Sequence, residues 1–97
     1  METLFTKEML KRITKTITED GTEEYTVDLH ELSKLSAMVF LRNIIALHRT
    51  PFTIRAIHGY VHGMVLKNSI QDEWISDRVT AVTSCPGNYG VTYLTVS

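Results

Sequence analysis

Two short segments of this 97-residue chain concentrate the side chains that could move a proton or hold a phosphate: Asp28-Leu29-His30 and His58-Gly59-Tyr60-Val61-His62-Gly63. On an extended strand side chains alternate, so Asp28 and His30 would share a face. A carboxylate so placed can orient an imidazole, as a general-base pair requires. The competing use is a surface pair, or an aspartate that helps cap the next helix. In the second segment, glycines permit positive φ and close backbone approach, and a following helix N-terminus offers amides that attract phosphate. Lys67, one turn further on, would add a point charge. The competing use is a tight turn with incidental polar residues. His58 and His62 have the i, i+4 spacing of a zinc pair. However, Gly59 stands where a metalloprotease helix carries glutamate, and the glycines oppose a helix at that point. Tyr60 could stack on a base from the loop. Trp74 reads as a core anchor, and Cys85, beside Pro86 in a turn, as an ordinary thiol.

The elements that must position these segments follow from periodicity. Tyr25 to Leu29 reads as a strand. Ser33 is a suitable N-cap for a helix to about His48, with Leu35, Met38, Val39, Leu41, Ile44, Ile45 and Leu47 forming a broad apolar face ended by Pro51. Phe52 to Ile57 is a second strand. A second helix should begin near Gly63 and carry Val65, Leu66, Ile70 and Trp74. Val79 to Ser84 and Gly90 to Val96 are strands joined by the turn Cys85-Pro86-Gly87-Asn88. The order β-α-β-α-β-β implies an α/β (α+β) two-layer sandwich: a four-stranded mixed sheet with two helices. Residues 1–24 read as an N-terminal extension, and 25–97 as the domain proper. In the extension, Phe5, Met9, Ile13 and Ile17 step by four as in a helix, whereas Thr14, Thr16 and Thr18 before Asp20-Gly21 suit a hairpin. A short helix over roughly 6–13 followed by an edge strand satisfies both.

Composition narrows the function classes. With 43% hydrophobic and 22% charged residues the chain is globular rather than disordered. One cysteine excludes an internal disulfide, and with no secretory segment at the N-terminus a cytoplasmic location is expected. No stretch approaches the ~18 apolar residues of a membrane span. Net charge is −1, but between Leu32 and Gln71 there is no Asp or Glu, while Lys34, Arg42, Arg49, Arg55 and Lys67 all lie there. These residues either make one basic face or scatter over the surface.

Taken together the segments resemble the small MutS-related (Smr) domain. Val27-Asp28-Leu29-His30 is similar to that family's Leu-Asp-Leu-His-Gly opening. Ile57-His58-Gly59 through Gly63, then Val65-Leu66-Lys67, is similar to its His-Gly-x-Gly-x-Gly loop with the Leu-Arg/Lys that follows it. Asn88-Tyr89-Gly90-Val91-Thr92 is similar to its closing Asn-Pro-Gly-x-Thr strand. The resemblance spans roughly residues 25–97. It implies association with DNA or RNA, either as an endonuclease or by binding alone. Asp28, His30 and His58 become candidate catalytic residues, with Asp28 and His30 activating water or holding a divalent ion such as Mg²⁺ or Mn²⁺. Arg55, His58, Gly59, Tyr60, His62, Gly63, Lys67 and Asn88 become candidate nucleic-acid contacts. Two positions depart from the family pattern: Glu31 replaces the glycine after the histidine, and Val61 the middle glycine of the loop. The rival expectation is a non-catalytic protein-interaction domain of the same fold, docking a protein partner or a second copy through the extension.

Overall fold

A computed structural model describes residues 7–59, 68, 70 and 75–97. Along these residues run a short helix α1 (Lys7–Lys11), strands β1 (Ile13–Ile17) and β2 (Glu23–Asp28), helix α2 (Lys34–Leu47), and strands β3 (Phe52–Ile57), β4 (Val79–Cys85) and β5 (Asn88–Val96). They form one mixed five-stranded sheet in the order β1-β2-β3-β5-β4. Only the β2–β3 pair is parallel, as the helical crossover between them demands. The fold is the expected α+β arrangement, with the extension adding a fifth strand. Both signals in that extension are used in succession, the helix over Lys7–Lys11 and then the edge strand, which closes on β2 through a turn at Gly21 (φ +85°).

One face of the sheet carries the core. Along β3, Phe52, Ile54 and Ala56 are buried and alternate with half-buried Thr53, Arg55 and Ile57. Against that face α2 packs Ala37, Met38, Phe40, Leu41, Ile44 and Ile45. The buried stripe is narrower than the sequence suggested: Leu35 is 73% exposed and Val39 42%, while Ala37 and Phe40 take their place. A straight helix presents only about a third of its circumference to a flat sheet, so a broad apolar arc cannot all be covered. Met9, Leu10 and Ile13 of the extension pack on the same core. Asn68 and Ile70 are helical and Ile70 is buried in the core; Trp74 and the start of the expected second helix lie outside the described residues.

Both ends of α2 are fixed by identifiable groups. Ser33 caps the N-terminus, its Oγ accepting from the Ser36 amide at 3.1 Å. At the other end the Arg78 guanidinium donates to the carbonyls of Ile45 (2.6 Å), His48 and Thr50 (3.3 Å), and to that of Ser97 (2.8 Å). The carbonyls of Ile45 and His48 are among those a helix C-terminus leaves unsatisfied, and a cation there also suits the helix dipole. His48, the C-cap, stacks edge-on with Tyr25 and Phe52 and lies 2.6 Å from Glu23. α2 is thus anchored at both ends, and the chain leaving β2 must reach it through the short link of residues 29–33, where the candidate site lies.

Candidate nucleic-acid site

The parallel register Asp28↔Ile57 brings the C-terminal ends of β2 and β3 side by side, the edge at which open α/β sheets place ligands. The Leu29 amide donates to Ile57 O at 2.8 Å, extending the pairing one residue past the strand. A Cβ built on Gly59 would lie 4.0 Å from the His30 Cβ, so the two sequence segments meet at this edge.

Asp28 and His30 come together, though not by strand alternation. β2 ends at Asp28, and the Asp28 Oδ1 accepts from the His30 backbone amide at 3.1 Å, an Asx turn. The same oxygen pairs with His30 Nδ1. The carboxylate thus fixes both the backbone and the ring of His30. Both side chains remain accessible, 36% for Asp28 and 51% for His30. With Nδ1 engaged by Asp28, the other ring nitrogen, Nε2, meets no partner among the described residues.

The next residues explain one departure from the family pattern. Leu32 N donates to Leu29 O at 3.1 Å, closing a β-turn whose third residue, Glu31, has φ +67°. That is the position at which a type II turn favours glycine. Glu31 therefore keeps the turn while carrying the strain of a left-handed side-chain residue.

His58 is placed differently from its expected partners. It continues the core-facing alternation of β3 and is 2% exposed, with Nε2 2.9 Å from the Thr92 hydroxyl, itself buried. The amides of His58 and Gly59 both donate to Gly90 O, at 2.9 and 3.1 Å. Gly59 follows at φ +83°. The two sequence motifs are thus physically joined: Gly90 and Thr92 of the closing strand hold the histidine–glycine start of the loop. A ring this buried offers no surface to a polymer; what it fixes is where the loop departs from the sheet.

Arg55 alternates with buried Ile54 and Ala56, so it stands on the face away from α2, in register with Thr26 and Tyr93. Asp28 lies on the same face, two residues along β2 from Thr26. Lys34 and Arg42 instead line a shallow groove on α2 with Leu35 and Met38, and Arg49 follows the helix C-terminus. Among the described residues the acid-free segment makes no single basic face, because its cations are divided between the two sides of the sheet. Tyr60, His62, Gly63 and Lys67 lie outside the described residues, as does the side chain of Asn88.

One residue at the site has no sequence signal. Arg12, between α1 and β1, accepts the Asp28 amide on its carbonyl at 2.9 Å. Its Nη1 donates to the carbonyls of Asp28 and His30, each at 3.1 Å. Sixteen residues separate it from Asp28, and only the β1–β2 register brings it there. As for a metal, no group of three or more His, Cys, Asp or Glu side chains converges among the described residues. Asp28 commits one carboxylate oxygen to His30, so the donor set falls short of a protein cage.

The sequence matches no protein-family model and no curated protein. Among solved structures it superposes on the Smr domain of Thermus thermophilus MutS2 with a TM-score of 0.59, covering 74% of this chain and 96% of that one at 24% identity. The chain has the Smr fold. The likeness is one of architecture, and it agrees with the fold that the three short motifs imply. No helix of the described residues is long and apolar enough to cross a membrane.

Proposed function

We propose that this Smr-fold domain binds nucleic acid at the C-terminal edge of β2 and β3 and cleaves phosphodiesters slowly, with His30 as general base. The observation that carries the reading is the double engagement of Asp28 Oδ1 with His30, at the backbone amide (3.1 Å) and at Nδ1, on a ring that remains half exposed. A side chain held at two points keeps one orientation, and its Nε2 is left to take a proton from the attacking water, or from the 2′-hydroxyl of RNA, as that oxygen bonds phosphorus, one P–O ester bond breaks and the departing oxygen takes a proton from solvent. Asp28 then stabilises the imidazolium that forms. His58 does not act on substrate in this reading; through Thr92 it holds the loop that begins at Gly59. A divalent ion, where present, would take Asp28 as its one carboxylate ligand and neutralise phosphate charge, as Mg²⁺ commonly does.

The test is a nicking and cleavage assay on supercoiled plasmid and single-stranded RNA, with and without Mg²⁺ or Mn²⁺, comparing the native protein with His30→Ala and Asp28→Asn. We expect slow cleavage by the native protein and a loss of about a hundredfold or more in His30→Ala, the usual scale of a general base. Cleavage equal in all three would refute the assignment. The alternative, a protein-interaction domain, draws support from Leu35 and Val39, an exposed apolar pair one turn apart on α2. Absence of any salt-dependent binding to DNA or RNA would favour it.

A further inference from the structure

The N-terminal extension supplies more than a fifth strand. Arg12 reaches the Asp28–His30 turn with one guanidinium nitrogen, whose two N–H groups are satisfied by the carbonyls of Asp28 and His30. A guanidinium has five donors in a planar fork. Among the described residues the remaining three, on Nε and Nη2, meet no acceptor. The charge is thus anchored one hydrogen bond from the backbone of His30, and much of its donor edge is left over. The turn itself carries two carboxylates, Asp28 and Glu31, which would repel an approaching phosphate. The cation hydrogen-bonded to that turn is Arg12.

We propose that Arg12 is an anion-binding residue of this site, clamping the turn through Nη1 while Nε–H and Nη2–H donate to a non-bridging oxygen of a phosphodiester. The proposal deepens the nucleic-acid reading and rests on it for the identity of the ligand. Clamping and binding are one device: a guanidinium already immobilised by two carbonyls loses little freedom when it takes up phosphate. It also follows that the site is incomplete in residues 25–97 alone, because the cation comes from the turn between α1 and β1 that precedes them.

The experiment uses the full chain and separates this proposal from the nucleic-acid reading. The Arg12 Nε–H resonance, assigned by its loss in Arg12→Lys, is followed during titration with dimethyl phosphate and, at matched ionic strength, with sodium chloride. In parallel, binding of a single-stranded oligonucleotide is measured against salt for the native protein, Arg12→Lys and Arg12→Ala. We expect a saturable shift with dimethyl phosphate and none with chloride. We also expect Arg12→Ala to weaken oligonucleotide binding about tenfold and to flatten the log–log salt slope by about 0.7, one single-strand phosphate. Arg12→Lys should keep the slope while losing part of the affinity, since an ammonium cannot serve the carbonyls and a phosphate in one plane. Oligonucleotide binding with an unmoved Arg12 resonance and an unchanged slope would overturn the proposal and leave the nucleic-acid reading standing. A shift with dimethyl phosphate but no oligonucleotide binding would uphold the anion site and refute that reading. No response in either arm would overturn both.

Discussion

At Glu31 two physical effects point the same way and can be separated. Its φ of +67° costs a side-chain residue about 1–2 kcal/mol relative to glycine, of which the flexibility of glycine in the unfolded chain returns roughly 0.5–1 kcal/mol. Its carboxylate also directly follows His30, where like charges at about 6 Å cost roughly 1–3 kcal/mol at effective dielectric constants of 20–50. Glu31→Gly removes both effects; Glu31→Gln removes only the charge. The expected outcome is a melting temperature raised by a few degrees in Glu31→Gly, on the scale of about 4–8 °C per kcal/mol for a domain of this size, and unchanged in Glu31→Gln. Oligonucleotide affinity at low salt should rise severalfold in both. A rise confined to Glu31→Gly would assign the effect to turn geometry and dismiss the repulsion. The same residues show what was legible at this scale. The types and spacing of Asp28 and His30 were enough to single them out, but the strand alternation that suggested their pairing is not its cause. The Asx turn is, and it forms because the strand stops at Asp28. Arg12 carried no local signal at all, since its place depends on a register between two strands.

Among the elements, the β1–β2 hairpin gives a pH dependence with a definite sign. In its loop the Thr18 hydroxyl bonds Asp20 Oδ1, and the Thr22 amide donates to the same oxygen at 3.1 Å and to Thr18 Oγ1 at 3.2 Å. The Thr18 hydroxyl, then the Thr22 contacts, hold the Asp20 carboxyl below the ordinary carboxylate range. A carboxyl lowered by folding stabilises the folded state above its unfolded pKa, and that contribution is lost as pH falls through the folded value. Protection of the Thr22 amide from hydrogen exchange should therefore hold from neutral pH into mild acid and drop only below the usual carboxylate range. In Asp20→Asn, whose amide oxygen still accepts, protection should not vary with pH over that window. A protection that falls already near pH 5–6 would mean a different group governs the loop, since an unperturbed histidine titrates near 6.5. The alternation in β3 and the N-cap of α2 were plain in the sequence because both are local patterns. The width of the α2 stripe was not, because which part of a broad apolar arc is covered depends on how the helix is turned against the sheet, and that leaves Leu35 and Val39 exposed.

For the molecule as a whole, the question is whether the extension is an appendage or part of the domain. β1 pairs with β2 over five residues, Ile13↔Val27 to Ile17↔Glu23, and Met9, Leu10 and Ile13 pack on the common core. Removing residues 1–22 would delete those three half-buried side chains and uncover the core they cover, a loss of about 1 kcal/mol each if half of a full ~1.5–3 kcal/mol burial is at stake. It would also strip the hydrogen-bond partner from the whole outer side of β2, turning a covered strand into an edge. A loss of about 3 kcal/mol is a large share of the 5–15 kcal/mol that holds a typical domain together. The shortened chain, 23–97, should thus unfold at a clearly lower denaturant midpoint than the full chain, and it should associate through the bared β2 edge, seen as a concentration-dependent rise in light scattering. The His30 turn should loosen as well, because the Arg12 carbonyl and guanidinium that hold Asp28 and His30 are gone. A truncated chain that matches the full protein in midpoint and stays monomeric would show that β2, β3 and β5 support the site unaided, and that the extension is an appendage.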